Sequence, residues 1–263
     1  MKGPHSRPLL SLPRHVSPWP SVLLLGLTTA LVVWVCPRTV HAQSGPSYSV
    51  TDLGTLGGPS SVALTLDELA LPEVYGYSTT ATGDVHAFRA RPGYGTFDLG
   101  TLGGRRSEAR KSHLYTVVGL SERADGQTHA AMFDYGRVND LGTLGGQLSY
   151  ANGVTRQQQS LVIVGGSTLP GEASTHAFIY RDSSMVDLGA TLGGANSVAN
   201  DVNTAQHVRG TAELRGTFVH HAFMWMGGVT SDLGSLGEGS EATAINELDV
   251  VVGRFDLAGG IQH

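Results

Sequence analysis

The run Asp98-Leu99-Gly100-Thr101-Leu102-Gly103-Gly104 stands unchanged at residues 52–58 and 140–146, and returns with small changes at 187–194 and 232–239. The aspartates that open the five copies are 46, 42, 47 and 45 residues apart. A fixed period of about 45 residues is the signature of a repeat architecture. The run is the punctuation mark of that repeat, and other features are placed by their distance from it.

Three further landmarks recur between successive runs. A short apolar stretch ends in a glycine, at Gly76, Gly119, Gly165, Gly210 and Gly253. Ten or eleven residues later comes His86-Ala87-Phe88, His129-Ala130-Ala131, His176-Ala177-Phe178 or His221-Ala222-Phe223. Ahead of the glycine lies a segment with small residues and often Asn, as in Ala151-Asn152, Ala199-Asn200 and Ala242-Thr243-Ala244-Ile245-Asn246. Each apolar stretch is short, rich in Val or aromatics and bounded by Gly, Asn, Asp or Ser, which are strand signals; no segment keeps a helical period. The expected fold class is therefore all-β. Four short strands in each repeat of about 45 residues predict a β-propeller-like array of four-stranded blades, favoured over a solenoid, whose coils are shorter, and over a sandwich. Four blades are complete, and a fifth is split or incomplete.

The His-Ala-Phe strand predicts how the blades pack. Side chains alternate along a strand, so His221, Phe223 and Trp225 share one face while Ala222 and Met224 share the other. A bulky face against a slim one suits stacked sheets, each buried aromatic adding about 2–3 kcal/mol. An aspartate follows each His by eleven or twelve residues, giving the structural repeat positions His86 and Asp98, His129 and Asp140, His176 and Asp187, and His221 and Asp232. A recurring polar pair needs partners, so each Asp is expected to accept hydrogen bonds from turn amides or from the His of its own repeat. The leucines of the run are expected in the core, and its glycines where positive φ passes the chain to the next blade.

Composition limits the function. Residues 1–42 hold four of the 17 Lys and Arg and none of the 22 Asp and Glu, so the remainder carries 13 basic and 22 acidic residues, a net charge of −9. Such a domain has no electrostatic footprint for nucleic acid. The cluster Arg105, Arg106, Arg110 and Lys111 is read as a solvated loop. Basic residues, an apolar run at 21–36 and Val40-His41-Ala42 predict a secretory signal peptide over 1–42, cut after Ala42. The weaker alternatives are an uncleaved anchor, for which the apolar run is short, and a lipid attached at Cys36. Cys36 is the only cysteine, so residues 43–263, read as the repeat domain, hold themselves together by packing alone. The expected location is secreted, at the cell surface or periplasmic, with no membrane insertion once the signal is cut.

No catalytic, metal-binding or cofactor-binding residue is assigned, and no cofactor is expected. The sequence lacks HExxH, GxSxG, phosphate-loop and calcium-loop patterns. Four histidines at equivalent positions lie one to a blade and serve the blade itself. His220 and His221 point to opposite sides of a strand, His113 and His207 lack partners at ligand spacing, and Asp67, Glu68 and Glu73, with Glu238 and Glu241, read as solvated acids. The favoured function is an exported, non-catalytic scaffold that binds an unidentified protein or glycan ligand at its variable loops, 78–85, 105–111, 167–175 and 212–219. The alternative is a propeller hydrolase or lyase on an extracellular polymer, which needs non-equivalent polar residues converging in one pocket.

Taken together, His-Ala-Phe-x-Trp, DLGTLGG and Ala-x-x-Ile-Asn followed by Val-Val-Gly resemble the bacterial extracellular HAF repeat family across residues 48–263. The resemblance implies export and a repeat β fold and implies no reaction. Departures are Ala131 for Phe, Ala90 for Trp, the inserted Ala190 and Glu238 for Gly. The segment 48–58 reads as a strand lacking a His-Ala-Phe partner, and His263 stands where a fifth such strand begins. These halves are expected to share one blade short of a strand, so that either the ring closes imperfectly or, the favoured expectation, the chain continues beyond residue 263.

Overall fold

The structure, a computed structural model, describes residues 48–263 except 68–71, 135, 158, 172–173, 190–191, 258 and 260. The expected signal peptide, with Cys36, and the inserted Ala190 lie outside the described residues. Each repeat folds as an antiparallel meander. The first comprises β1 (Gly57–Leu66), β2 (Val74–Thr80), β3 (Val85–Arg91) and β4 (Gly95–Gly100). The second comprises β5 (Gly103–His113), β6 (Thr116–Arg123), β7 (Thr128–Asp134) and β8 (Arg137–Asp140). The third runs from β9 (Ser149–Gln157) through β10 (Ser160–Thr168) and β11 (Thr175–Arg181) to β12 (Ser184–Gly189). The fourth holds β13 (Gly193–Val202), β14 (Val208–Leu214), β15 (His220–Met226) and β16 (Val229–Asp232). The fifth contains β17 (Ser240–Ile245), β18 (Val251–Leu257) and the short β19 (Ile261–Gln262). The fold is all-β, and a parallel contact between Val85 and Arg106 joins the first two sheets.

A bulge marks the first strand of every repeat. The pairing register skips one residue at Leu64, Arg110, Asn152, Asn200 and Thr243. The recurring glycine of the second strand lies opposite. A Cβ added at Gly119 would sit 1.9 Å from the Glu108 carbonyl oxygen, and the equivalent clash recurs at Gly76, Gly165, Gly210 and Gly253. That glycine is therefore required by close backbone approach, as at many bulges.

Neighbouring repeats share their cores. Phe133, Val117 and Ala131 of the second repeat pack with Tyr75 and Ala87 of the first. Phe178 and Ile163 of the third meet Val118 and Ala130 of the second. Phe223 and Val208 of the fourth meet Val164 and Ile179 of the third. The Phe face thus looks to the preceding repeat and the Ala face to the following one, the packing that the alternation of His221 to Trp225 predicts.

From the second copy onward, each run joins one sheet to the next. Its Asp-Leu-Gly end lies in the last strand of one repeat in β4 and β12, while its Leu-Gly-Gly end enters the next. In the 98–104 copy the turn passes through Gly100 at φ 80° and Gly103 at φ 105°. The first copy departs from the strand expected over 48–58. Residues 48–55 carry no strand, and Leu56 bridges Thr80 of the first repeat instead. Leu56 N–H donates to Ser78 Oγ at 2.9 Å, as Leu102 does to Ser121 and Leu144 to Ser167, so local hydrogen bonding commits the run to the sheet that follows it.

Candidate functional site

The repeated His and Asp form one pair per repeat. His Nδ1 lies 2.8 Å from Asp98, 2.7 Å from Asp140, 2.9 Å from Asp187 and 3.0 Å from Asp232. An imidazole N–H facing a carboxylate acts as donor. Each Asp also accepts the N–H of the glycine two residues on, at 2.7, 2.8, 2.6 and 2.7 Å in the same order. Both expected partners are present, and the pairs hold the turn between sheets. They do not converge on a point.

A serine that the landmarks passed over completes this joint. Ser107 Oγ accepts from Ala87 N–H at 2.8 Å and donates to the Gly100 carbonyl at 2.6 Å, tying the first strand of one repeat to the third strand of the repeat before it. Ser149, Ser197 and Ser240 make the same two bonds. Their sequence signal is a serine eight to ten residues after each opening aspartate.

Two groups of residues read as solvated are engaged in the fold. The Arg105 to Lys111 cluster lies on β5: Arg105 pairs with Asp84, and Arg106 and Arg110 both pair with Glu108. Backbone pairing with β6 makes this predicted loop a strand, while Arg105 and Arg106 themselves stay exposed, as expected. The presumed loops 78–85 and 212–219 likewise begin inside β2 and β14, and Ser78 is buried. Asp67 and Glu73 are each only 3% exposed. Glu73 accepts from Tyr75 Oη, Arg89 and Arg91, and Asp67 accepts from Tyr115 N–H at 3.0 Å, which compensates their burial.

The strongest convergence lies past the bulges. A pocket of about 520 Å³ is lined by the ends of the first strands of all five repeats. Its lining positions are equivalent in register and different in chemistry: one residue past the bulge stand Thr65, Lys111 and Asp201, and three residues past it stand Asp67, His113, Thr155 and Asn246. Equivalent positions on these strands do meet, unlike the His and Asp pairs. Lys111 of the second repeat reaches Asp201 of the fourth at 3.4 Å. The third repeat supplies Gly153 at the matching position, where a Cβ would meet the Asp201 Cα at 2.8 Å.

Asp201 also pairs at 3.1 Å with Arg209, which is 1% exposed at a position occupied elsewhere by Tyr75, Val118, Val164 and Val252. Burial draws the Arg209 guanidinium below its ordinary pKa and Asp201 opposes the shift; an arginine remains charged throughout. His113 accepts the Arg156 N–H at Nδ1, 2.9 Å away, which leaves its proton on Nε2. Thr155 is 4% exposed and its Oγ1 has no hydrogen-bond partner.

A second pocket, of about 550 Å³, lies between the fourth and fifth repeats and includes Phe218, His220, Arg254 and Phe255. His220 faces Glu213 at 3.6 Å while His221 faces Asp232, so the adjacent histidines separate as expected. His207, also off the repeat pattern, pairs with Asp249 at 2.7 Å and bridges the fourth and fifth repeats. Among the described residues no group of three or more His, Cys, Asp or Glu is placed to hold a metal ion, and no helix is long and apolar enough to cross a membrane. No family model and no curated protein matches the chain.

Proposed function

We propose that the chain is an exported, non-catalytic β-propeller of HAF-type repeats, secreted or retained at the cell surface or in the periplasm, that binds its ligand at the pocket where the first strands meet. The repeating four-strand meanders, the cores shared by neighbours and the pocket reached by all five repeats support blades set around an axis. The observation that carries binding is the chemical divergence of that pocket: register-equivalent positions hold Lys, Asp, Thr and His there, whereas the joints keep the same His, Asp and Ser. A scaffold uses constant residues to hold its sheets and variable ones to recognise. The variable loops then contact the outer parts of a protein or glycan.

Polar convergence is also what a hydrolase or lyase needs, but two of the carboxylates on this wall are already engaged. Asp201 receives two cations and a backbone N–H, and Glu247 receives the N–H and hydroxyl of Thr204. An array of extracellular glycans and peptides probed with the exported protein tests the reading. Retention by one ligand class, lost in Lys111→Met, is the expected result. Equal retention by that variant removes the pocket from the function, and release of new reducing ends from a retained glycan establishes the enzyme instead.

A further inference from the structure

The open edge of the fifth sheet has a chemistry of its own, and we infer that it accepts a β-strand of the pattern Ala-Phe-x-aromatic from a second polypeptide. This site does not rest on the pocket past the bulges. In the first four repeats the second strand is flanked on both sides, by the bulged first strand and by the His-Ala-Phe strand. In the fifth, β17 covers one side of β18, while on the other β19 pairs with Asp256 and Leu257, and His263 exchanges both backbone hydrogen bonds with Phe255 at 2.9 and 3.0 Å. His263 thereby stands in the register of the repeat: His86 pairs with Ser78, two residues past Gly76, as His263 pairs with Phe255, two residues past Gly253. Backbone polar groups alternate in direction along a strand, so the N–H and C=O groups of Gly253 and Val251 point to the same side as those of Phe255. Among the described residues no strand pairs with them there. Such an edge is a template for an added strand.

The side chains around the edge select which strand fits. The third strand of a repeat places its Phe opposite the recurring glycine, as Phe88 opposite Gly76, Phe178 opposite Gly165 and Phe223 opposite Gly210. The ring lies against that glycine. A Cβ at Gly165 or Gly210 would meet the Phe ring at 2.9 or 2.8 Å, whereas the three nearest atoms at Gly253 all belong to β17. Beside Gly253 lies a pocket of about 470 Å³ whose wall includes Ala222, Leu233, Leu236 and Ala242. One repeat earlier the equivalents of these four, Ala177, Leu188, Leu192 and Ala199, pack around Phe223. The pocket is thus shaped for a Phe ring carried on a strand. Both charges on its wall, Glu241 and Arg254, pair with each other at 2.7 Å, and Leu236 is 76% exposed, so apolar surface is what it offers. A second copy of this chain has no such strand to lend, because each of its His-Ala-Phe strands is built into a sheet of its own. The donor is therefore another polypeptide with this pattern.

A synthetic peptide of residues 177–189 tests the edge. It carries Ala-Phe-Ile-Tyr, the turn and the sequence of β12, without the histidine whose register His263 holds. Labelled with a fluorophore and titrated against the exported protein, it is expected to bind, and to bind at least about tenfold more weakly with Phe178→Ala or with the Phe178 nitrogen methylated. Leu236→Asp in the protein should weaken binding as much, and the exposure of Leu236 predicts an unchanged melting temperature. Hydrogen exchange at the Val251 and Gly253 amides should slow when the peptide binds. No detectable binding overturns the acceptor edge. Binding indifferent to nitrogen methylation and to Leu236→Asp overturns strand addition at this place. A concentration-dependent dimer of the protein alone, abolished by Leu236→Asp, assigns the edge to a second copy and overturns the donor.

Discussion

Asp201 and Arg209 are the residues at which one repeat departs furthest from its siblings. Other repeats place Tyr or Val where Arg209 stands, and Ala244 occupies the position of Asp201 in the fifth. Arg209 is buried, pairs with Asp201 and donates to the Ala242 carbonyl at 2.6 Å, linking the fourth repeat to the fifth. Arg209→Ala should destabilise the domain by about 3–5 kcal/mol in urea, because it strips Asp201 of its buried partner. The double variant Asp201→Ala with Arg209→Val copies the fifth repeat and should regain most of that loss, which a double-mutant cycle will read directly. Glu108 offers a test by pH. Burial raises its pKa, but the hydrogen bond and charge of Arg106, with those of Arg110, outweigh it and leave the pKa below the ordinary 4.5. A carboxyl whose folded pKa is depressed contributes stability that is complete above its unfolded pKa and disappears as pH falls through the folded one. Wild-type stability should therefore drop more steeply than that of Glu108→Gln as pH falls below about 4.5, measured by denaturation at a series of acid pH values.

The bulged strand pair decides which small residues are structural. Gly119 and Gly126 look equally replaceable on paper, yet a Cβ at Gly119 would meet the Glu108 carbonyl at 1.9 Å, while at Gly126, at φ 85°, it meets nothing within 4 Å. Gly119→Ala should cost about 3 kcal/mol or more because two paired backbones must part. Gly126→Ala should cost about 1–2 kcal/mol from its φ alone. Ser149→Ala leaves Ala130 N–H and the Gly142 carbonyl without their shared partner, and thermal unfolding should report a loss of about 1–3 kcal/mol. The strands, the glycines and the His and Asp pairs are legible in the sequence because each depends on neighbours a few residues away, repeated often enough to stand out. The joint serine is equally periodic, but serine carries no strand signal of its own. The Arg105 to Lys111 segment is solvated at Arg105 and Arg106 as its charge suggests, but it is a strand and not a loop, because its backbone pairs with β6.

Across the whole molecule, stability is shared: three core clusters each draw on two consecutive repeats. Trp225, in the fourth repeat, is the only tryptophan after residue 42, so its fluorescence reports on a site remote from the first repeats. Phe133→Ala opens the core between the first and second repeats and should cost about 3–5 kcal/mol. Coupling through the shared cores predicts that the Trp225 transition and the far-ultraviolet dichroism transition move together. A Trp225 transition that stays in place would show repeats unfolding one by one.

Period, strand content and the turn chemistry of DLGTLGG follow from sequence alone, because short-range hydrogen bonding and alternation of side chains fix them. The pairing of each His with its Asp follows as well, since eleven or twelve residues of antiparallel hairpin bring the two side by side. The meeting of Lys111 with Asp201, the burial of Asp67 and the unpartnered hydroxyl of Thr155 were decided only by tertiary structure. They depend on how successive sheets are angled against one another, which the packing of whole faces sets and no spacing along the chain encodes.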